Sequence, residues 1–600
     1  MLKPLSDNLF LYEDSCSVYV VRSGSEALLI DFGGGGVLDA LGAIGVERVA
    51  GVWMTHHHRD QGQGLGRAAE AGIPILVPHA ERELFDEADL HWQRKQLSNE
   101  YSGRQDRFSL LRSVPVADTL RDYSEHVFGG WTLTVLPTPG HTVGSISVLA
   151  RRDGRTYAFT GDLIAAPGKI WSLAATQWSY NGGEGLPATA ASLLDLKDRE
   201  PDVLLPSHGA PIANPGEAID LTVSRLRELM AYRGHNPRLL LLRDKPYENV
   251  TPHLLASRAS FANYYVLLSD SGKALLFDFG YDFMTGMAVE TARPARRPWL
   301  YSLPALKRNY GVARIDVVVP THYHDDHVAG INLLRDVEGT RVWAPDNFAD
   351  VLERPERFDV QCLWFEPIPV DRRLPLGTPI RWEEYELTLY EQGGHTLYAA
   401  AIFLEVDGKK VLVGGDQYQG EMWNYVYRNR FRIPDYAASA ALYRRLAPDV
   451  VVTGHAEPLW TTPAYFDALD ERGEALERLH RELLPLGEAD FGAEGFAARL
   501  EPYQAIASPG ETIEYEAETV NPFGRPAELV LEPVLPTGWT AEPAVARERF
   551  AANETRRIRF AATVPPGAEP VRRERIAVDV TADGRRFGQQ AEALVTVVRP

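Results

Sequence analysis

Thr321-His322-Tyr323-His324-Asp325-Asp326-His327 is the stretch whose reading decides the fold. It follows Ile315-Asp316-Val317-Val318-Val319-Pro320, a β-branched apolar run that reads as a short buried strand. A strand that ends in His-x-His-x-Asp-His gathers four ligand-type side chains in one loop. Neutral imidazole nitrogens and a carboxylate oxygen are the donors that suit zinc and related divalent ions. A histidine-rich surface loop could carry the same letters, but it would not need further ligand-type residues downstream. Here they follow in Gly393-Gly394-His395-Thr396, Gly414-Gly415-Asp416 and Val452-Thr453-Gly454-His455.

The same order occurs upstream. A strand-like run over residues 49–54 delivers Thr55-His56-His57-His58-Arg59-Asp60-Gln61, followed by Pro139-Gly140-His141-Thr142, Thr160-Gly161-Asp162 and Pro206-Ser207-His208. The strand-like run from Ala27 to Gly33, with Asp31 near its end, matches the run from Ala274 to Gly280, with Asp278. His141 to Asp162 spans the same interval as His395 to Asp416. One motif order met twice is the mark of a duplicated domain. We place the copies at residues 1–240 and 241–490, with an amphipathic helix from Pro215 to Tyr232 closing the first. The glycine run Gly33 to Gly36 lacks GxGxxG spacing and a following lysine, so it reads as a tight loop beneath the site. Residues 500–600 lack histidine and alternate short β-type runs with Pro/Gly turns, which predicts an antiparallel β-sandwich.

Length and composition agree with this division. Six hundred residues exceed one core, and 45% hydrophobic with 24% charged residues is ordinary for a globular protein. A net charge of −20 argues against nucleic acid or an anionic membrane as partner. Cys16 and Cys362 offer no disulfide framework, and neither a signal h-region nor a membrane-spanning run is visible. The expectation is a soluble, cytoplasmic protein acting on a small molecule.

With five motifs in order, both halves resemble the metallo-β-lactamase superfamily. The resemblance implies an αββα sandwich twice. The 500–600 segment adds an all-β module, and its Leu535-Pro536-Thr537-Gly538-Trp539 resembles a turn of bacterial immunoglobulin-like domains. Carried onto this sequence, the superfamily resemblance implies that His322, His324 and His395 hold one metal. Asp326, His327 and His455 would hold a second, with Asp416 bridging and Asp326 placed to take a proton from the attacking water. Zinc is the implied ion, with iron or manganese as alternatives. In the first half His56, His58, His141 and Asp162 supply the first site, and Asp60 and His208 remain for the second. Gln61 stands where the signature has histidine, so this half is expected to hold one metal firmly and a second weakly or not at all. Asp278 reads equally as an anchor for a ligand imidazole or as a strand-end turn residue. Tyr418, Trp423 and Tyr425 read as a pocket wall or as a packed aromatic cluster, with Trp171 and Trp178 at the equivalent point of the first half. His57 and Arg59 are expected at the surface.

The activity that the resemblance implies is metal-dependent hydrolysis of an ester, thioester or lactone, with the second half catalytic. A mononuclear-iron sulfur oxygenase and, for the first half, a non-catalytic binding or scaffold module stay open beside it. A nuclease is disfavoured by the charge. The two copies are expected to pack as an intramolecular pseudo-dimer.

Overall fold

The computed structural model describes residues 2–95, 106–178, 185–233, 238–286, 296–419 and 430–598. The strand Arg314–Val319 shows why the deciding stretch folds as it does. It is buried beyond its first residue and runs parallel to Lys273–Phe277 on one side and Arg341–Pro345 on the other. A strand covered on both faces needs a continuous apolar run rather than an alternating one. Arg48–Trp53 holds the matching place in the first half, parallel to Glu26–Ile30 and Ile75–Pro78.

Each half is built from two sheets. In the first half seven strands from Leu2–Ser6 to Asp118–Leu120 lie in chain order, antiparallel at first and parallel from Glu26–Ile30 onward. Five more, from Glu125–Phe128 to Val203–Pro206, form the second sheet, again in chain order. The second half repeats this with seven strands and then six. Leu9, Tyr19, Leu28 and Trp53 of one sheet meet Trp131, Val135, Val148 and Phe159 of the other between the layers. Val37, Leu65 and Phe85 cover the outer face of the first sheet, and the helices Gly185–Lys197 and Pro215–Arg233 cover the second. The order of layers is therefore helix, sheet, sheet, helix, twice. The last hundred residues form a four-stranded and a five-stranded sheet over one core that includes Tyr515, Phe560, Leu529 and Val578. Among the described residues no helix is long and apolar enough to cross a membrane.

The halves touch through a buried cation. Arg297, 3% exposed, donates from Nε and Nη2 to the Asp122 carboxylate at 2.8 and 2.6 Å. Its Nη1 donates to the carbonyls of Val143 and Ser145 at 2.8 and 2.9 Å, just past His141. Beside it Val143, Trp178 and Ala188 of the first half pack with Met284, Trp299 and Tyr301 of the second. Truncation would leave a half-buried carboxylate and two carbonyls without their donor, a loss of about 3 kcal/mol. Arg297→Ala is therefore expected to lower the urea-unfolding midpoint by that equivalent, read by far-UV circular dichroism beside the parent protein.

Candidate functional site

The strand-end aspartate organises each site. Asp278 follows Lys273–Phe277 with φ 63°, a left-handed conformation that aspartate tolerates better than most residues. The turn brings its carboxylate back to accept from Thr321 N at 2.6 Å and from Thr321 Oγ1 at 2.8 Å. It also accepts from His327 Nδ1 at 2.9 Å. His322 Nδ1 lies 3.1 Å from Thr321 Oγ1. Both rings are thus anchored through Nδ1, and their buried Nε2 atoms have no hydrogen-bond partner among the described residues. An outer carboxylate that orients an imidazole and fixes its tautomer is what a metal ligand needs behind it.

These nitrogens converge on two groups that share one carboxylate. Ligand atoms of His322, His324, His395 and Asp416 all lie within 4.8 Å of one another, as do those of Asp326, His327, Asp416 and His455. Asp416 Oδ1 stands 3.3 Å from His327 Nε2, and Asp416 Oδ2 3.2 Å from His455 Nε2. Asp326 Oδ2 lies 3.0 Å from the same His455 nitrogen. Burial, aided by the neighbouring imidazoles, holds His322 well below the usual histidine range and brings His324 down to about 3. Burial also opposes a proton on His455, but Asp416 and Asp326 outweigh it and lift that ring to about 10. Neutral imidazoles on one side and carboxylates on the other form a donor set that fits divalent cations. The buried His322 Nε2, without a hydrogen bond among the described residues, and His327 Nε2 and Asp416 Oδ1, which face each other at 3.3 Å without forming one, support the fit.

The first half reproduces one group. His56, His58 and His141 place ligand nitrogens within 4.8 Å of one another, with Asp162 Oδ2 3.6 Å from His56 Nε2. Asp31 (φ 57°) accepts from Thr55 N at 2.8 Å, and burial pushes its carboxyl up to about 7. Where Asp278 receives an imidazole, Asp31 receives Ser207 Oγ at 2.6 Å. Gln61 turns instead to Asp162, donating from Nε2 at 3.2 Å. The two differences belong together. Ser207 corresponds to Gly454, where an added Cβ would stand 2.3 Å from Asp416 Oδ1 and 2.5 Å from His327 Cε1. An imidazole at 327 requires the glycine, and the carboxamide at 61 leaves room for the serine.

Asp60 and His208 are joined differently from their counterparts. His208 presents Nδ1 to Asp162 Oδ1 at 2.7 Å and Nε2 to Asp60 Oδ2 at 3.2 Å, and its ring stacks on Trp171 at 4.0 Å. Burial resists a proton there, but the two carboxylates carry the ring to about 10. Among the described residues these groups form no second cluster of ligand atoms in this half.

Several surrounding residues depart from the sequence reading. His57 is not at the surface: it is 1% exposed, with Nδ1 3.1 Å from the buried Glu81 carboxylate. Glu81 also accepts from Thr142 Oγ1 at 2.5 Å and from Gly144 N at 3.2 Å, tying the loop of His56–His58 to the loop of His141. A Cβ at Gly144 would meet Glu81 Cγ at 2.2 Å. The second half has Tyr398 at that position, packed against Tyr323 and Phe358. Glu81 was invisible in the sequence because only the fold brings residue 81 beside residues 57 and 142. Tyr418 is 2% exposed and donates its hydroxyl to Tyr436 O at 3.1 Å, which makes it part of the packed cluster with Tyr443 rather than a pocket wall. Trp423 and Tyr425 lie outside the described residues. Trp178 is fully buried, whereas Trp171 and Phe108 rim an open cavity over His58 and His141. The glycine run lies beneath the site as expected, with Phe32 N and Gly33 N donating to Gln61 O at 3.0 and 2.8 Å.

The metallo-β-lactamase superfamily profile matches residues 11–208 and again 258–455. A hydroxyacylglutathione hydrolase of Roseobacter denitrificans is 28% identical over 178 residues, 27% of this chain and 59% of that enzyme. An atrochrysone carboxyl ACP thioesterase of Passalora fulva is 27% identical over 207 residues, 33% of this chain and 49% of that enzyme. The chain thus spans only part of the length of these curated relatives. Among solved structures, a metallo-β-lactamase of Cronobacter sakazakii with an HARLDQ motif aligns at 19% identity and TM-score 0.30, covering 39% of this chain and 93% of its own. The subclass B3 enzyme BJP-1 of Bradyrhizobium japonicum aligns at 20% identity and TM-score 0.30, covering 39% and 93%. With the family profile matched twice, over more than half of its residues, the chain belongs to the metallo-β-lactamase superfamily of hydrolases.

Proposed function

We propose that the second half hydrolyses a small ester, thioester or lactone at the paired clusters around Asp416. The observation that carries this reading is the pair of four-residue ligand groups sharing that one carboxylate. The hydrolase and thioesterase names of the relatives support the substrate class. His322, His324 and His395 would hold one zinc ion, Asp326, His327 and His455 a second, with Asp416 between. When bound, such ions lower the pKa of water towards neutrality and polarise the scissile carbonyl. The protein's own part is to hold the rings through Thr321 and Asp278, to take the water proton on the Asp326 carboxylate, and to return it to the alkoxide or thiolate released as the acyl C–O or C–S bond breaks. In the first half His56, His58, His141 and Asp162 would hold a single ion. There His208, Asp60 and Gln61 take up the space and hydrogen bonds of the second site.

We further propose three units over residues 1–240, 241–490 and 500–600, since no named strand of one pairs with a named strand of another among the described residues, the last unit's first strand starting just ahead of it at Ala498. The Arg297 contact supports a pseudo-dimer of the two halves. The two facing sheets of the last unit support an immunoglobulin-like module.

Metal content and hydrolysis of an ester, thioester and lactone panel test the assignment. His322→Ala is expected to abolish hydrolysis and to lower bound zinc more than His56→Ala does. Activity that survives His322→Ala and disappears in His56→Ala would move catalysis to the first half. Asp278→Asn should weaken zinc binding about 10- to 100-fold in chelator competition, the usual effect of losing an outer carboxylate. Gln61→His alone should leave zinc stoichiometry unchanged, whereas Gln61→His with Ser207→Gly should raise it by one ion, read by plasma emission after dialysis.

A further inference from the structure

The cavity over the first-half histidines has a chemistry that metal binding does not require. It encloses about 330 Å³ and is lined by Arg59, Arg107, Phe108 and Trp171 beside His58, His141 and Asp60, whose carboxylate is paired with His208. Two large aromatic rings stand open at its rim, Phe108 56% exposed and Trp171 51% exposed. Water-exposed aromatic surface of this size, gathered in one concavity, is a feature of binding sites.

Phe108 is also held in an unfavourable backbone conformation. Its φ is 65°, a region that bulky residues avoid at a cost of about 1–2 kcal/mol. The neighbouring chain enforces it. Phe108 O accepts from Arg59 N at 2.7 Å, and Ser109 is bridged to His58. The same clasp recurs in the second half, where Cys362 has φ 55° and its O accepts from Asp325 N at 2.8 Å, so the turn belongs to the duplicated fold and here serves to hold the Phe108 ring at the rim.

The cations at the rim complete the picture. Arg59 spends Nε and Nη2 on Ser109 O, at 3.3 and 3.2 Å, which fixes the guanidinium plane while Nη1 remains available among the described residues. Arg107 places its guanidinium 5.2 Å from the Phe108 ring centre. Neither has a carboxylate partner within 4.0 Å among the described residues, in a chain of net charge −20. The aromatic and cationic side chains on this turn belong to the first half: the second has Cys362 in place of Phe108 and the buried Asp325 in place of Arg59, paired there with Arg296.

We propose that the first-half cavity is a binding site for a flat, conjugated carboxylate, with Trp171 and Phe108 flanking its ring system and Arg59 and Arg107 receiving the anion. A guanidinium already fixed in plane suits a carboxylate, and stacked rings suit a planar body. The volume matches a bicyclic aromatic acid, at the small end of ligand pockets. The inference rests on the first half as a separate site and stands whether or not the second half hydrolyses esters.

Calorimetric titration of the zinc-loaded full chain, in a His322→Ala background, tests it with 2-naphthoate, 2-naphthamide and cyclohexanecarboxylate. 2-Naphthoate should bind at one site, with the neutral amide and the non-planar acid each about tenfold weaker. Arg59→Gln and Arg107→Gln should each lower naphthoate affinity by about the same factor while bound zinc stays unchanged, and Trp171→Ala should weaken both aromatic probes. Arg107 is exposed, so its variant keeps the test open if Arg59→Gln fails to fold. Equal binding of acid and amide, unchanged affinity in Arg107→Gln, or no naphthoate binding would each overturn the proposal.

Discussion

An aspartate in a left-handed turn at the end of a buried strand is the constraint on which each half depends. Asp278 and Asp31 each close a strand and clasp the backbone and hydroxyl of the threonine that opens the histidine loop. The clasp sets the direction of that loop, and through the threonine hydroxyl it sets the first imidazole. What the second carboxylate oxygen receives then separates the halves: an imidazole in one, a serine hydroxyl in the other. An unpaired buried carboxylate would be costly, so the aspartate requires some donor there. The ligand set of each half follows from which donor it has.

Much of this was legible in the sequence because it is local. The histidine loop, the isolated histidine, the aspartate and the last histidine each follow a strand, and strand ends announce themselves through short apolar runs. Duplication made the reading firmer, since the same order appeared twice. The substitution of Gln61 for histidine was equally plain. Its partner was not, because Ser207 and Gly454 differ from each other as any loop residues do. The change gains meaning only in space, where any side chain at 454 would collide with the His327 ring.

The residues whose sequence reading was wrong or left open share one cause. His57 looked exposed because it sits between two ligands in a polar loop, yet the carboxylate that accounts for its burial comes from Glu81 in a different connection. Tyr418 was open between a pocket wall and a packed cluster because it follows Asp416, and its hydroxyl, which reaches the helix Asp435–Leu446, places it in the cluster. In each case the partner is distant in sequence, and no periodicity or spacing points to it. Aromatic and charged side chains beside a site can turn either way, and packing decides.

The Arg297 contact bears on whether the duplicated unit can stand alone. Its guanidinium caps carbonyls just past His141, so part of the first half's ligand loop is held in shape by the second half. Trp299 and Tyr301 likewise fill apolar space beside Trp178 that a solitary domain would have to cover by other means. A gene cut between the copies would bare the Trp178 face of one product and leave Arg297 of the other without the Asp122 carboxylate.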